Sequence, residues 1–221
     1  MVTALRRRPG LDLSVYLVTD TVMCGHLGVP ATVAAAVAAG VTAVQLRDPV
    51  ATDDEFVALG RAVRAVLAGT GVRLLVNDRV HLVDAIGADG AHIGQLDLDV
   101  RAARAVLGDT AYLGLSVQDP SHVTAARTFG LGAVDYLGVG PVWRSASKPD
   151  HAPPGGVDRL RLIGAMSPWP CVAIGGVTAD RVPQLRDSGA VGIAVISAIC
   201  GRSDVSAATS SLRRSWDGAA S

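Results

Sequence analysis

The sequence predicts a single (β/α)₈ TIM barrel, and three observations carry that prediction. Eight strand signals alternate with eight helix signals at a spacing of roughly 25 residues, which implies parallel strands joined by helical crossovers. The length of 221 residues suits one barrel. Aromatic residues make up only 4% of the chain, while Ala, Val, Leu and Gly are abundant, as expected for short buried strands under alanine-rich helices.

A doubly wound open sheet is the alternative architecture. The sequence favours it less, because no Gly-x-Gly-x-x-Gly turn follows the first strand. No shift in composition and no linker divides the chain. We therefore predict one barrel domain over residues 1–221, with residues 1–13 as a flexible N-terminal segment.

The first half of the chain supplies four strands with their helices. Pro30 opens an Ala/Val helix that Gly40 closes, which is the usual asymmetry of helix ends. Thr52 and Glu55 form a capping-box pattern at the start of the next helix. The predicted strands are residues 15–19, 43–47, 73–77 and 91–94, and the predicted helices are residues 30–39, 52–69, 80–86 and 99–107.

The second half repeats the alternation around one long connection. Asp119-Pro120 begins a helix that ends at Gly130, and an amphipathic helix over residues 205–216 closes the chain. The sixth strand runs into an unusually long segment, residues 140–156, and loops of that length are typically functional or disordered. The predicted strands are residues 111–116, 134–139, 171–174 and 193–196.

Charge and composition exclude several classes of partner. The formal net charge is zero and there is no basic stripe, which argues against nucleic acid or an anionic membrane surface. No apolar run is long enough to span a bilayer, so we expect a cytoplasmic protein. The three cysteines lie far apart and are expected to be small buried side chains rather than disulfides or zinc ligands. Small-molecule substrates are expected, and the sequence is compatible with a monomer or a homo-oligomer.

Two adjacent strands end in the same way, with a polar residue followed by an acid. Asn77-Asp78 ends the third strand, and Gln95 with Asp97 follows the fourth. Because barrel active sites lie at the C-terminal ends of the strands, the two carboxylates are expected to converge on one Mg²⁺ with substrate phosphate oxygens. Either acid alone is better explained as a helix N-cap. The repetition at consecutive strands favours the metal site.

Other strand exits supply groups suited to phosphate. Arg47 at the second exit offers a bidentate guanidinium, although a simple ion pair with a rim carboxylate explains it as well. Gly175-Gly176 and Ser197 end the seventh and eighth strands, where barrels commonly build a phosphate cup. The long segment 140–156 carries hydroxyls, two cations and an indole, which favours a lid over an anionic substrate.

A set of motifs in this order and spacing resembles the thiamine phosphate synthase family across nearly the whole chain. The matching motifs are Tyr16-Leu17-Val18-Thr19-Asp20, Val44-Gln45-Leu46-Arg47, Val76-Asn77-Asp78-Arg79-Val80, His92-Ile93-Gly94-Gln95 with Asp97, Gly114-Leu115-Ser116, Tyr136-Leu137-Gly138-Val139-Gly140-Pro141-Val142, Ser147-Lys148-Pro149, Ile174-Gly175-Gly176 and Val195-Ile196-Ser197. That family joins 4-amino-2-methyl-5-(diphosphooxymethyl)pyrimidine to 4-methyl-5-(2-phosphoethyl)thiazole on a (β/α)₈ barrel with Mg²⁺, releasing diphosphate. The resemblance therefore implies a transferase of thiamine biosynthesis.

The resemblance also implies roles for individual residues. Asp78 and Asp97 would bind Mg²⁺. The pyrimidine diphosphate would be held by Gln45, Arg47, Asn77, Ser116 and Lys148, and the thiazole phosphate by Ser145, Ala146, Ser147, Gly176, Ile196 and Ser197. Leu46, Asp48 and Pro49 would also belong to the substrate-binding residues. The implied mechanism is dissociative, with Arg47, Lys148 and Ser116 as catalytic residues: diphosphate leaves and the thiazole nitrogen captures the pyrimidine cation. Such catalysis rests on positioning and electrostatics and needs no protein nucleophile.

The chain departs from the family pattern at identifiable positions. Pro49 stands where the family usually has a lysine, so weaker diphosphate binding is expected. Ser145 and Ser147 replace two threonines and keep both hydroxyls, and Gln118 stands where a histidine is frequent. Two alternatives follow. The first is a related, metal-independent thiazole tautomerase, which lacks the paired acids and uses that histidine; the second is a diverged, non-catalytic barrel that binds a phosphate ligand.

Overall fold

The computed structural model describes residues 10–145 and 153–220, and its strands form one closed parallel barrel. The strands are β1 (Val15–Val18), β2 (Ala43–Leu46), β3 (Arg73–Asn77), β4 (Gly90–Ile93), β5 (Tyr112–Val117), β6 (Tyr136–Val139), β7 (Cys171–Ile174) and β8 (Ala190–Val195). Each strand pairs with the next one in sequence, and β8 pairs with β1 to close the ring. The predicted (β/α)₈ barrel is confirmed.

Helices follow the strands and cover the outside of the barrel. The α-helices are α1 (Thr21–Cys24), α2 (Val29–Ala38), α3 (Asp53–Val66), α4 (Val83–Ile86), α5 (Val100–Leu107), α6 (Pro120–Arg127), α7 (Gly156–Met166) and α8 (Val205–Ala220), with 3₁₀ turns at Gly25–Leu27, Val80–Leu82 and Val182–Leu185. The predicted capping box is confirmed, because the Glu55 amide donates to Thr52 Oγ1 and the Glu55 carboxylate accepts from the Thr52 amide at 2.8 Å.

Two connections differ from the sequence prediction. The chain forms α1 directly after β1, where the Asp20 carboxylate accepts a hydrogen bond from the Met23 amide at 3.0 Å and so caps the first turn. The connection between β7 and β8 contains the 3₁₀ turn Val182–Leu185. β8 also begins at Ala190, three residues earlier than predicted, because Ala190 already pairs with Cys171.

The apolar core has two layers that follow the alternation of side chains along each strand. One layer lies between the strands and the helices and contains residues such as Leu17, Leu46 and Val76. The other fills the barrel interior and contains Tyr16, Leu75 and Tyr136, among others. Interior positions near the C-terminal ends of the strands are therefore the ones that can reach a ligand.

The N-terminal segment joins this interior layer at its last residues. Leu13 is buried in the interior cluster, and Leu11 packs against it. Of the segment 1–13 that we predicted to be flexible, residues 1–9 lie outside the described part of the chain. Flexibility of that segment stays a prediction, as does the single-domain organisation of the whole chain.

Cysteines and apolar helices agree with the sequence expectations where they are described. Cys24, Cys171 and Cys200 are free and buried. In the described residues, no single helix is long and apolar enough to cross a membrane. A bent pair, Thr21–Leu27 with Val29–Ala38, passes that test by length and composition only.

Candidate active site

One cavity of about 620 Å³ opens at the C-terminal ends of the strands. That volume lies within the range of small-molecule sites. The cavity is where the barrel fold places active sites. Predicted site residues that line it are Gln45, Asn77, Asp78, Asp97, Ser116, Ser145, Gly176, Ile196 and Ser197. The structure thus brings most of the described candidates to one place.

The two predicted metal ligands lie on adjacent rims of this cavity. Asp78 follows β3 with a φ of 60°, a left-handed conformation that Asp tolerates better than most residues. Its carboxylate accepts a hydrogen bond from the Asn77 side-chain amide at 2.5 Å. Asp97 follows β4, and its carboxylate accepts from the Gly94 amide at 2.7 Å. Both acids are exposed to the cavity and offer the oxygen ligands that Mg²⁺ prefers.

Within the described residues, no group of three or more His, Cys, Asp and Glu side chains forms a metal cluster. A site built from many protein ligands is therefore absent from this part of the chain. The two rim acids match the other arrangement, in which Mg²⁺ takes one or two carboxylates and fills its remaining positions with water and substrate phosphate.

The segment after β2 lies mostly outside the cavity. The Arg47 guanidinium donates to the Asp20 carboxylate at 2.8 Å, and both side chains are largely buried. In this structure Arg47 therefore forms an ion pair with a rim carboxylate, the simpler of the two roles considered from the sequence. The Leu46 side chain packs in the layer between barrel and helices. Asp48 accepts from the Thr21 hydroxyl and from two backbone amides, and Pro49 is exposed. None of these four side chains lines the cavity.

The electrostatics of Asp48 follow from those contacts. Burial alone would raise the pKa of its carboxyl group. The hydrogen bonds from Thr21, Val50 and Ala51 outweigh burial and lower the pKa below its usual value. Asp48 is therefore held as a carboxylate that closes the turn before α3.

A chain of hydrogen bonds crosses the cavity floor. Gln45 Nε2 donates to the Tyr16 hydroxyl at 2.7 Å, and the Tyr16 and Tyr136 hydroxyl oxygens are 2.9 Å apart. The Tyr136 hydroxyl lies 2.9 Å from His92 Nδ1, and His92 Nε2 lies 2.9 Å from Ser116 Oγ. The chain thus connects β2, β1, β6, β4 and β5. We call these five side chains the floor relay.

Strand register and one glycine permit the central contact of the floor relay. His92, Gly114 and Tyr136 lie side by side in the register of β4, β5 and β6. A Cβ atom at Gly114 would lie 2.2 Å from the Tyr136 ring and 2.4 Å from His92 Nδ1. Only glycine leaves room for the two rings to meet over β5.

With the Gln45 side-chain amide donating to Tyr16, one direction of the floor relay satisfies all its buried groups. Tyr16 accepts from Gln45, so its own proton needs another acceptor, and Tyr136 is the hydroxyl beside it. Tyr136 then donates to His92 Nδ1, which places the imidazole proton on Nε2 and directs it to Ser116. The opposite direction leaves the buried Tyr16 proton without an acceptor, at a cost of about 1–3 kcal/mol.

This direction leaves the Ser116 hydroxyl proton available to an acceptor in the cavity. Ser116 Oγ already accepts from His92, and Gln95 Nε2 holds the Ser116 carbonyl at 2.6 Å. Burial raises the pKa of both Tyr16 and Tyr136, so neither hydroxyl loses its proton near neutral pH. The floor is therefore neutral and directional.

The opposite wall is built from the exits of β7 and β8. The amides of Val142 and Trp143 donate to the carbonyls of Ile174 and Gly175, both at 2.9 Å, which docks the start of the long connection on the glycine pair. A Cβ atom at Gly176 would lie 2.6 Å from the Arg144 carbonyl oxygen, and its φ is 65°. Ser197 follows β8 on the same wall.

Several cavity residues were not identified as site residues from the sequence. They are Tyr16, His92, Gln118, His122, Tyr136, Arg144 and Arg181. The signal for the floor relay was present, because a Tyr or His at an inward-facing strand position must find a polar partner when buried. His92 shows this most clearly, because it is buried and each of its ring nitrogens lies 2.9 Å from a hydroxyl oxygen.

The remaining candidates, Ala146, Ser147 and Lys148, lie outside the described residues, as does most of the predicted lid. Ser145 is described and lines the cavity. The roles predicted for Ser147 and Lys148 stay predictions.

Comparisons with known proteins agree with this geometry. A model described as thiamine monophosphate synthase matches residues 15–199. The chain belongs to the thiamine monophosphate synthase family. A thiamine-phosphate synthase of Psychrobacter sp. strain PRwf-1 is 43% identical over 87% of this chain and 90% of its own length. One from Azorhizobium caulinodans is 42% identical over 91% of this chain and 94% of its own.

Solved structures give the same family. The structure of a thiamine phosphate pyrophosphorylase from Pyrococcus furiosus superimposes with a TM-score of 0.85 and 30% identity, covering 96% of this chain and 98% of that one. Together these comparisons favour a thiamine monophosphate synthase over the thiazole tautomerase and the non-catalytic binder.

Membership of the thiamine monophosphate synthase family gives meaning to the departures at Gln118 and Pro49. Gln118 lines the cavity, and its backbone N–H donates to His122 Nδ1 at 3.3 Å. A histidine is therefore present at this rim, one helical turn beyond the family position. Pro49 lies outside the cavity in this structure.

Proposed function

We propose that this protein condenses 4-amino-2-methyl-5-(diphosphooxymethyl)pyrimidine with 4-methyl-5-(2-phosphoethyl)thiazole to give thiamine phosphate and diphosphate. One observation carries the proposal beyond family membership: a single cavity has two acids on the β3 and β4 rims and a glycine–serine wall on the β7 and β8 rims. These rims lie on opposite sides of an eight-stranded ring. Two separate phosphate-bearing substrates can then bind with their rings facing each other.

We further propose that Asp78 and Asp97 hold Mg²⁺ against the diphosphate. The donor set fits, because both groups are exposed carboxylates on adjacent strand exits and Asn77 adds an amide beside Asp78. The bound ion would supply charge neutralisation for the leaving diphosphate. We propose that Lys148 and Arg47 are the protein cations that neutralise the charge of the leaving diphosphate. Arg47 has to break its ion pair with Asp20 to reach the diphosphate.

The chemistry left to the protein is placement. The C–O bond to diphosphate breaks and the thiazole nitrogen forms a C–N bond with the same methylene carbon. Gln45 and Ser116 project into the cavity near the floor and are proposed to orient the pyrimidine ring, with the Ser116 hydroxyl as a donor. Positioning of two reactants in this way accounts for a large share of such rate enhancements.

The test is a condensation assay with purified protein, both substrates and Mg²⁺, repeated with the metal chelated. Thiamine phosphate and diphosphate are expected in equal amounts, and only with Mg²⁺. Folded protein that yields no thiamine phosphate contradicts the proposal.

Asp78→Asn isolates the role of charge at the proposed metal site. Asn tolerates the left-handed backbone of this position, so the fold should be retained. We expect turnover to fall by on the order of 10²-fold or more, because a carboxylate ligand is lost. Asp158→Asn is the matched control, since Asp158 is an exposed carboxylate on α7 outside the cavity. Equal activity of the two variants contradicts the assignment of Asp78.

Cytoplasmic location and a homo-oligomeric state are also proposals. Fractionation of the source cells tests the first, and light scattering of the purified protein tests the second.

A further inference from the structure

Arg181 is a cavity residue that no motif had marked. It follows β7 at the start of the 3₁₀ turn Val182–Leu185 and is half-buried on the cavity wall. Its Nη1 donates to the Gly176 carbonyl at 2.7 Å, and its guanidinium carbon lies 5.5 Å from the centre of the Trp143 ring. The guanidinium is thus held from two sides at the Gly175–Gly176 wall.

Neither of these two contacts is with a carboxylate. Among the described residues, no carboxylate lies within ion-pair distance of its guanidinium, in contrast to Arg47 with Asp20 and Arg104 with Asp135. The hydrogen bond from Thr178 is the main cause that lowers the pKa of the adjacent Asp180, and the charge of Arg181 lowers it further from beyond ion-pair distance. A partly buried guanidinium without a carboxylate suits an anionic ligand.

The same wall presents backbone donors. The amides of Gly176, Ser197 and Ala198 find no hydrogen-bond acceptor in residues 10–145 and 153–220. All three residues line the cavity. Exposed amides at consecutive strand exits together with one guanidinium match the three oxygens of a phosphate monoester. The cavity acids, Asp78 and Asp97, belong to the opposite rim.

We propose that Arg181 binds the phosphate of the thiazole substrate and thereby makes the enzyme select the phosphorylated thiazole over its free alcohol. The inference rests on the proposed condensation for the identity of that ligand. The guanidinium reaches the phosphate with its outward N–H groups, while Nη1 stays on Gly176. Arg181 is then a specificity-determining residue rather than one that acts on the breaking C–O bond.

A substrate without the phosphate separates this role from a structural one. We compare 4-methyl-5-(2-phosphoethyl)thiazole with 4-methyl-5-(2-hydroxyethyl)thiazole as acceptors in wild type, Arg181→Ala and Arg181→Lys. The KM for the phosphorylated thiazole should rise by about 10- to 100-fold in Arg181→Ala, the loss typical of one charge-assisted hydrogen bond. The KM for the alcohol and for the pyrimidine diphosphate should stay within about twofold, and Arg181→Lys should recover part of the loss.

Arg186→Ala is the matched control. Arg186 lies on the same connection between β7 and β8 and also donates to a backbone carbonyl, that of Gly218, but it lies outside the cavity. Its replacement should leave the KM values for the phosphorylated thiazole and for the free alcohol unchanged. If Arg181→Ala raises the KM for the free alcohol as much as the KM for the phosphorylated thiazole, the residue is structural and the inference is overturned. An unchanged KM for the phosphorylated thiazole overturns it as well.

Calorimetry distinguishes failure of this inference from failure of the proposed condensation. Wild-type protein is titrated with the phosphorylated thiazole without the second substrate, and the titration is repeated with Arg181→Ala. Tighter binding by wild type supports the inference even if no thiamine phosphate forms. Equal affinity, or no binding to either protein, overturns it even if the condensation assay succeeds.

Discussion

Replacing Tyr136 with Phe removes the central hydroxyl of the floor relay and keeps the aromatic ring of the side chain. Two buried groups then lose the Tyr136 hydroxyl as a hydrogen-bond partner: the Tyr16 hydroxyl proton and His92 Nδ1. Each buried unsatisfied group costs about 1–3 kcal/mol, so the free energy of unfolding should fall by about 2–6 kcal/mol. Urea denaturation followed by circular dichroism measures the loss.

The same substitution should also release the tautomer of His92. In the wild type, the reversed relay would leave one buried proton unsatisfied, so the Nε2–H form is preferred by roughly 5- to 150-fold, the equivalent of 1–3 kcal/mol. Without the Tyr136 hydroxyl, no hydrogen bond from Tyr136 to Nδ1 selects one tautomer of His92, and the preference should fall to near unity. The Ser116 hydroxyl then points into the cavity only about half of the time.

Tyr16→Phe is the matched comparison, because it removes the same atom from a ring just as buried. It leaves the Tyr136 hydroxyl free to donate to His92 Nδ1, so the Nε2–H tautomer should persist although Gln45 loses an acceptor. Long-range ¹H–¹⁵N spectra of the imidazole ring, with His92 identified by the signal lost in His92→Gln, measure the tautomer in both variants. An Nδ1–H tautomer in the wild type refutes the deduced direction. So does an equal effect of the two substitutions.

Three other predictions concern pH and the single lysine. Burial raises the pKa of Tyr16 and Tyr136, so the folded state keeps protons that the unfolded state releases above about pH 10. Above about pH 10 the free energy of unfolding should therefore fall by about 1.4 kcal/mol per pH unit for each of the two tyrosines. Urea denaturation at rising pH measures this slope, and the contribution of the pair should be halved in Tyr16→Phe, which keeps only Tyr136. Lys148 is the only lysine, so pyrimidine diphosphate should slow its acetylation as mapped by mass spectrometry; an unchanged rate contradicts its predicted role. Asp48→Asn should lower stability by about 1–2 kcal/mol at neutral pH, and the difference should vanish as pH falls below 3.8 through the lowered pKa of Asp48; a difference that is constant with pH contradicts this.

The barrel and its acidic rim were predictable because both depend on local patterns. Short apolar runs at regular spacing fix the number of strands, and parallel strands must end on the same side. Asp78 and Asp97 each follow such a run within four residues, so their approach to one cavity needed no knowledge of distant contacts. The capping box at Thr52 was predictable for the same reason, since its partners are three residues apart.

The contacts that escaped prediction join residues far apart in sequence. Arg47 faces Asp20 across the exits of β1 and β2, whereas the sequence pattern favoured an ion pair and a phosphate ligand equally. The hydroxyls of Tyr16 and Tyr136 meet across 120 positions. That meeting depends on barrel closure and on the space left at Gly114, neither of which a local pattern reports.

The distribution of charge in the cavity predicts how two substrates can be oriented without a protein nucleophile. Asp78 and Asp97 lie on one rim, Arg144 and Arg181 on the other, and the floor relay between them is neutral. A diphosphate that brings its own metal ion suits the acidic rim, and a phosphate monoester suits the basic one. The uncharged rings are then left to the neutral floor. Reversing one charge on the basic rim, as in Arg181→Glu, should therefore weaken binding of the thiazole substrate far more than binding of the pyrimidine substrate.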